Sequence, residues 1–185
     1  MSLEYAILGF LNYHPYTGYD LKKGFDNSVR HFWPADQSQI YRTLSNLAKQ
    51  GWVEMKVVEQ SDRPDRKVYS ITSAGRDALL AWLAGPVPIA EPRSASLIQV
   101  FFAGQLSDEE ILAKLETMAD ILRATLERFD QIPVLIEPYR QQIDSPRENF
   151  FWMLTLDNGM RTMRANLEWV ENAIEHIKNG QLPKA

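Results

Sequence analysis

One stretch of the chain carries polar side chains at a spacing suited to contacts with nucleic-acid bases. Four of them recur at i, i+4, i+7 and i+11 and so share one face of a helix: Ser38, Arg42, Ser45 and Lys49. Further donors and acceptors flank this stripe: Gln39, Thr43 and Asn46. A guanidinium can bond both O6 and N7 of guanine, and amide and hydroxyl groups bond other base edges. The pattern predicts a surface that contacts DNA bases, with Arg42 as its main contact.

The elements around this surface follow from changes in hydrophobic period. Ile40, Leu44 and Leu47 recur at i, i+4 and i+7, which predicts a buried face for the same helix, and Gly51 is expected to end it. Residues 52–58 and 68–72 are rich in β-forming side chains, and the loop between them is polar. A hairpin is therefore expected after the helix. A helix followed by such a hairpin is typical of a winged helix-turn-helix.

The hairpin loop carries basic side chains that we expect to contact DNA phosphates: Arg63, Arg66 and Lys67. Two aspartates in the same loop, Asp62 and Asp65, argue against base contacts by the loop. Tyr41 lies between the two faces of the preceding helix, so its hydroxyl bonds a phosphate or its ring packs. Both alternatives stay open.

Two shorter helices are expected upstream, over residues 3–12 and from residue 18 onward. Thr17 is placed to cap the second of these, with Asp20 three positions later. Lys22 and Lys23 on this helix are candidates for phosphate contact, and simple solvation of the lysines is the alternative.

The N-terminal half resembles the PadR family of winged-helix transcription regulators. The similar segments are ILGFL with TGYDLKK, then QIYRTLSNLAKQGWV, then RPDRKVYSITSAGRDALLAWL, in the family's order and spacing. The resemblance implies a mainly α fold, with an N-terminal winged helix-turn-helix and a C-terminal all-α dimerisation domain. It also implies a homodimeric repressor that binds double-stranded DNA at a near-palindromic operator. Some members respond to phenolic acids or hydrophobic drugs, so a small-molecule effector is kept as a hypothesis.

A proline-rich segment predicts the domain boundary. GPVPIAEPR contains three prolines, which favours a DNA-binding domain over residues 1–86, a linker over 87–93 and a helical domain over 94–185. Residues 1–86 carry 10 Lys and Arg against 9 Asp and Glu, whereas residues 87–185 carry 10 against 15. Since phosphate attraction depends on local charge, the net charge of −4 does not exclude DNA binding.

The last predicted helix begins at Ser145 and Pro146 and carries a heptad pattern of apolar residues. Its spacings alternate between three and four along Met153, Leu156, Met160, Met163, Leu167, Val170, Ile174 and Ile177. A regular heptad seam favours a coiled-coil partner, here a second copy of the chain. The alternative is that the seam packs only within its own subunit.

Other classes of function have little support in the sequence. There is no cysteine, and His14, His31 and His176 lie far apart, so no metal site is expected. No cofactor-binding or catalytic motif occurs, and we expect neither a cofactor nor enzyme activity. The apolar N-terminal run is too short to span a bilayer, so a cytoplasmic protein without membrane contact is expected. The remaining alternative is a winged-helix protein-interaction module that does not bind DNA.

Overall fold

The structure, a computed structural model, describes residues 2–59, 65–87, 94–143 and 145–181. The chain divides into two compact units, one of residues 1–87 with 135–145, the other of residues 88–134 with 146–185. The mainly α class with a small sheet is confirmed. The predicted boundaries at residues 86 and 94 stay a prediction.

The first unit contains the helices and strands of the expected winged helix-turn-helix. In chain order these are α1 (Ser2–Tyr13), β1 (Tyr16–Thr17), α2 (Gly18–Asn27), α3 (Gln37–Lys49), β2 (Val53–Val58), β3 (Arg66–Ile71) and α4 (Ser73–Leu83). Short 3-10 turns occur as well, such as Val29–His31 between α2 and α3.

The apolar face of α3 forms the centre of this unit's core. Ile40, Leu44 and Leu47 are fully buried, as predicted, and they belong to one cluster with Leu8 of α1 and Phe25 of α2. Burying such a side chain contributes about 2 kcal/mol. The core therefore fixes which face of α3 remains exposed.

The hairpin is confirmed, and the sheet has one strand more than predicted. β2 and β3 pair antiparallel from Val53 opposite Ile71 to Val58 opposite Arg66. β1 also pairs with β3, with Tyr16 opposite Tyr69, so the strand order is β1-β3-β2. β1 has only two residues, too few to show an alternating pattern in the sequence.

Gly51 and Thr72 join α3, the hairpin and α4. Gly51 has a φ of 73°, which favours glycine, and it follows the last turn of α3 as predicted. Thr72 caps α4 by accepting a hydrogen bond from the Gly75 N–H at 3.1 Å. The Thr72 hydroxyl also donates to the Gly51 carbonyl at 2.7 Å, so the start of α4 is bonded to the end of α3.

The second unit is helical in the residues that the structure describes. It contains α5 (Ala95–Phe101), most of α6 (Asp108–Ile143) and α7 (Pro146–Lys178). Pro133 lies inside α6, which runs through it without a break. Proline keeps a helical φ, but it removes one N–H donor and its ring crowds the carbonyl of the residue four positions earlier, so it costs the helix about 3 kcal/mol. In the described chain, no helix is long and apolar enough to cross a membrane.

The core of this unit lies between α6 and α7. Leu115, Ala119 and Leu122 of α6 are buried together with Val170 of α7. Two ion pairs also join these helices, from Arg123 to Glu171 at 2.6 Å and from Lys178 to Glu116 at 2.7 Å. The two helices are thus packed and ion-paired within one chain.

Candidate nucleic-acid interface

The exposed face of α3 brings together six of the seven polar residues predicted for it, and the seventh, Thr43, is half-buried. All six are exposed in the structure: Ser38, Gln39, Arg42, Ser45, Asn46 and Lys49. Because the opposite face is fully buried, this is the surface that α3 offers to a partner. Its polar character matches the base edges and phosphates of DNA.

Arg42 is available for a new contact. Among the described residues it forms no salt bridge, whereas arginines elsewhere, such as Arg123 and Arg161, are paired with carboxylates. A guanidinium with its donors unused can bond a guanine edge or a phosphate without first breaking an internal contact. The geometry thus supports the role predicted for Arg42.

The first turn of α3 is held by a capping box that the sequence analysis missed. Asp36 caps the helix and accepts a hydrogen bond from the Gln39 N–H at 2.7 Å. The Gln39 side-chain oxygen Oε1 in turn accepts from the Asp36 N–H at 3.0 Å. The signal was present as a D-x-x-Q spacing, which is typical of such boxes. Gln39 therefore has a structural role in addition to its predicted contact with DNA.

The ring of Tyr41 packs against the first residue of α2. A Cβ atom placed on Gly18 would lie 2.4 Å from Cε1 of Tyr41, so only glycine leaves room for the ring. Tyr41 is still 39% exposed. Burial raises the pKa of Tyr69, and the nearby Tyr41 hydroxyl raises it further. The ring therefore packs between α2 and α3, and a phosphate contact by its hydroxyl stays a prediction.

The two lysines of α2 differ in their surroundings. Lys22 is paired with the carboxylate of Asp26, which lies 3.5 Å from Arg30 as well. Lys23 is exposed and has no ion pair with any described residue. Both remain predicted phosphate contacts, and the geometry favours Lys23 because no internal pair must be broken.

Arg66, the first residue of β3, is bound to α2. Its Nη2 atom lies 3.2 Å from Oδ2 of Asp20, which also accepts a hydrogen bond from the Thr17 hydroxyl at 2.7 Å. The pairing joins residues 46 positions apart, so sequence spacing offered no signal for it. Lys67 is exposed, and Arg63 lies outside the described residues.

Near β1 the structure contains an aromatic cluster. The rings of His14 and Tyr16 lie 3.7 Å apart between centroids. The pKa of Tyr16 is raised to about 12, mainly by burial and also by the neighbouring Tyr139 and Asp20. The Tyr16 hydroxyl is therefore neutral over the physiological pH range.

The predicted dimer seam of α7 has contacts within its own chain. Five of its residues belong to the core formed with α6: Met163, Leu167, Val170, Ile174 and Ile177. Leu156 is buried, and Met153 and Met160 are half-buried. This packing within one chain accounts for five of the eight seam residues, and a role of the seam in dimerisation stays a prediction.

Large apolar side chains are exposed elsewhere in the second unit. On α5 and just after it they are Leu97, Ile98, Phe101 and Phe102, and on α7 they are Phe150, Phe151, Leu154 and Trp169. A groove of about 790 Å³ lies among α5, α6 and α7 and is lined in part by Val100, Met118 and Trp169. Within the described residues, no cluster of three or more histidine or acidic side chains is placed to hold a metal ion.

Two family models match the chain. Residues 7–81 match the transcriptional regulator PadR-like family, and residues 92–178 match the virulence activator alpha C-terminal family. The first match contains α3 and the hairpin of β2 and β3, and the second contains α5 to α7.

Two curated relatives match different lengths of the chain. A probable transcriptional regulator of Mycobacterium tuberculosis is 41% identical over 98 residues, which are 53% of this chain and 52% of that protein. The match thus spans about half the length of this relative. The negative transcriptional regulator PadR of Bacillus subtilis is 27% identical over 180 residues, covering 95% of this chain and 97% of that protein.

The Bacillus subtilis protein also has a similar structure. Its complex with operator DNA superposes with a TM-score of 0.81 at 26% identity, over 96% of this chain and 99% of that one. Its complex with p-coumaric acid superposes with a TM-score of 0.74 at 25% identity, over the same fractions of the two chains.

Proposed function

Because the chain belongs to the PadR-like family of transcriptional regulators, we propose that it is a homodimeric repressor that binds a near-palindromic operator through α3. Two copies of α3 would enter successive major grooves, and the half-sites would lie about one helical turn apart or a multiple of it. The protein would act in the cytoplasm, where its operator is found.

The exposed polar face of α3 is the observation that carries this proposal. Arg42 stands on this face with no ion pair to any residue that the structure describes, while Ile40 and Leu44 hold the opposite face in the core. The structure of the Bacillus subtilis relative with operator DNA supports the assignment by similarity of the whole chain. A protein-interaction module without DNA binding has less support, since the exposed side of α3 is neither apolar nor acidic.

Selection of bound DNA by the purified protein tests the proposal, starting with a random library and its own promoter region. The Arg42→Ala variant should lose about 1–3 kcal/mol of discrimination for the selected sequence, with its melting temperature unchanged. Arg76→Ala on α4 removes the same charge from another exposed helix and should bind as the wild type does. Equal binding by Arg42→Ala and Arg76→Ala would contradict the role of Arg42.

Dimerisation is proposed to use the exposed apolar side chains of α5 and α7. Phe101 is 81% exposed and Phe150 is 61% exposed, and large exposed apolar side chains are typical of protein interfaces when they gather in a patch. The heptad seam, by contrast, is largely covered by α6. We therefore place the centre of the interface on the exposed aromatic side chains, with the seam residues as its predicted margin.

Sedimentation velocity at micromolar concentration tests this interface. Phe101→Asp should shift the protein from dimer to monomer, because an unpaired charge in an apolar interface is costly. Leu83→Asp on α4, at a side chain that is 62% exposed, is the control and should remain dimeric. A dimeric Phe101→Asp variant would refute this placement.

A small aromatic effector is proposed to release the repressor from DNA. The Bacillus subtilis relative has been solved with p-coumaric acid, and the second unit of this chain carries many aromatic side chains. Aromatic carboxylic acids and hydrophobic cations should be titrated into the protein–operator complex. If no compound changes operator affinity or melting temperature, the effector proposal fails while the DNA-binding proposal stands.

A further inference from the structure

We propose that Gln39 selects operator bases as a hydrogen-bond donor only, and that it therefore favours guanine over adenine. The proposal rests on the proposed function, since it concerns how α3 discriminates among bases. Glutamine is usually associated with adenine, because its amide can donate to N7 and accept from N6 at once. That contact needs both ends of the amide directed at one base.

The capping box fixes which end of the Gln39 amide is free. Oε1 accepts the Asp36 N–H at 3.0 Å, and only the oxygen of an amide can accept a hydrogen bond. The backbone N–H of Gln39 donates to Oδ1 of Asp36 at 2.7 Å, so two reciprocal bonds hold the residue. The oxygen is thus turned back toward the start of the helix. The amide nitrogen, with two N–H donors, is the end left for DNA.

Donors alone match a defined set of major-groove atoms. Guanine offers two acceptors, O6 and N7, whereas adenine offers one at N7, thymine offers one at O4, and cytosine offers a donor at N4. Making the bidentate adenine contact would require breaking the bond to Asp36 and leaving its N–H without a protein partner. A single bond to adenine N7 keeps the cap but forgoes the second bond that guanine accepts, so in either mode adenine is disfavoured by about fivefold.

Replacing Gln39 by glutamate separates the two roles of this side chain. Glutamate suits the same position of a capping box, and a negative charge in the first turn is favourable to the helix. The Gln39→Glu variant should therefore melt as the wild type does. Its outward atom, however, is now an acceptor, which pairs with N4 of cytosine.

The experiment compares base preferences at every operator position, using all single-base variants of the sequence selected by the wild type. At one symmetry-related pair of positions, the wild type should prefer guanine, and Gln39→Glu should prefer cytosine by about tenfold. All other positions should keep their preference. Gln37→Glu, which adds the same charge two residues earlier, should lower affinity equally for all variants. Gln39→Ala should lower the melting temperature and should abolish the base preference at this pair of positions.

Two results would overturn the inference. One is a wild-type preference for adenine over guanine at the position that depends on Gln39, since the oxygen must then have left Asp36. The other is a Gln39→Glu variant with every base preference unchanged, which would leave Gln39 as a cap alone. In both cases the proposed function still holds if the wild type selects one sequence through Arg42. A wild type without any base preference would refute the proposed function and this inference together.

Discussion

Gly75 lies where the first turn of α4 meets the junction of α3 and β2, and it has no space for a side chain. A Cβ atom at Gly75 would lie 2.2 Å from the carbonyl oxygen of Trp52 and 2.9 Å from Cγ1 of Ile71. The same carbonyl accepts a hydrogen bond from the Thr72 N–H at 3.0 Å. The obstacle is backbone, which cannot rotate away as the end of a side chain can. Gly75→Ala should therefore strain this junction.

The expected cost follows from three contributions. Overpacking of this kind costs about 1–3 kcal/mol. Weakening the hydrogen bond between Thr72 and Trp52 adds about 1 kcal/mol. Alanine regains up to about 1 kcal/mol as the better helix former. The Gly75→Ala variant should thus lose about 1–3 kcal/mol of unfolding free energy, which for a chain of this size lowers the melting temperature by about 2–12 °C.

Gly9→Ala provides the matched control for this measurement. Gly9 also lies in a helix of the first unit, and nothing lies within 4 Å of the position of its Cβ. This substitution should raise the free energy of unfolding by about 0.5–1 kcal/mol. Both variants are compared with the wild type by urea unfolding followed by circular dichroism. A Gly75→Ala variant as stable as Gly9→Ala would refute the reasoning.

Three further predictions concern the region around α2. Gly18→Ala displaces the mobile end of the Tyr41 ring rather than backbone, so it should weaken operator binding while the melting temperature changes little; a large loss of stability would contradict this. Lys23→Ala should reduce the slope of log affinity against log salt by about 0.9, whereas Lys22→Ala should reduce it less, because Lys22 is already paired. The pKa of Tyr16 is raised to about 12 in the folded protein, so its contribution to stability is complete below pH 10 and is lost as pH rises toward 12. In alkaline unfolding titrations, the free energy of unfolding of the wild type should fall by about 2–3 kcal/mol more than that of Tyr16→Phe over this interval. Parallel curves for the two proteins would contradict the raised pKa of Tyr16.

The sequence was most informative where one period dominated a segment. The buried face of α3 was predicted because Ile40, Leu44 and Leu47 follow the helical period, and burial imposes that period directly. The hairpin followed in the same way from its β-forming residues. Gly51 marked the end of α3 because a left-handed backbone favours glycine.

Features that depend on distant contacts could not be predicted in this way. The strand β1 has two residues and exists only because Tyr16 meets Tyr69, which lies far along the chain. The pairing of Arg66 with Asp20 likewise depends on how α2 lies against β3. A heptad pattern states that a helix has an apolar partner, and it does not state whether that partner is α6 or a second chain.

The continuity of α6 has a consequence for the engineering of chimaeric regulators. Its residues 135–143 belong to the first unit, although they follow that unit's other residues by nearly fifty positions in the sequence. Ile136 within this segment is only 3% exposed. A chimaera that takes only residues 1–87 from one regulator would therefore combine them with residues 135–145 of another protein. Recombination of specificities among such proteins should succeed more often when residues 135–145 are exchanged together with the DNA-binding segment.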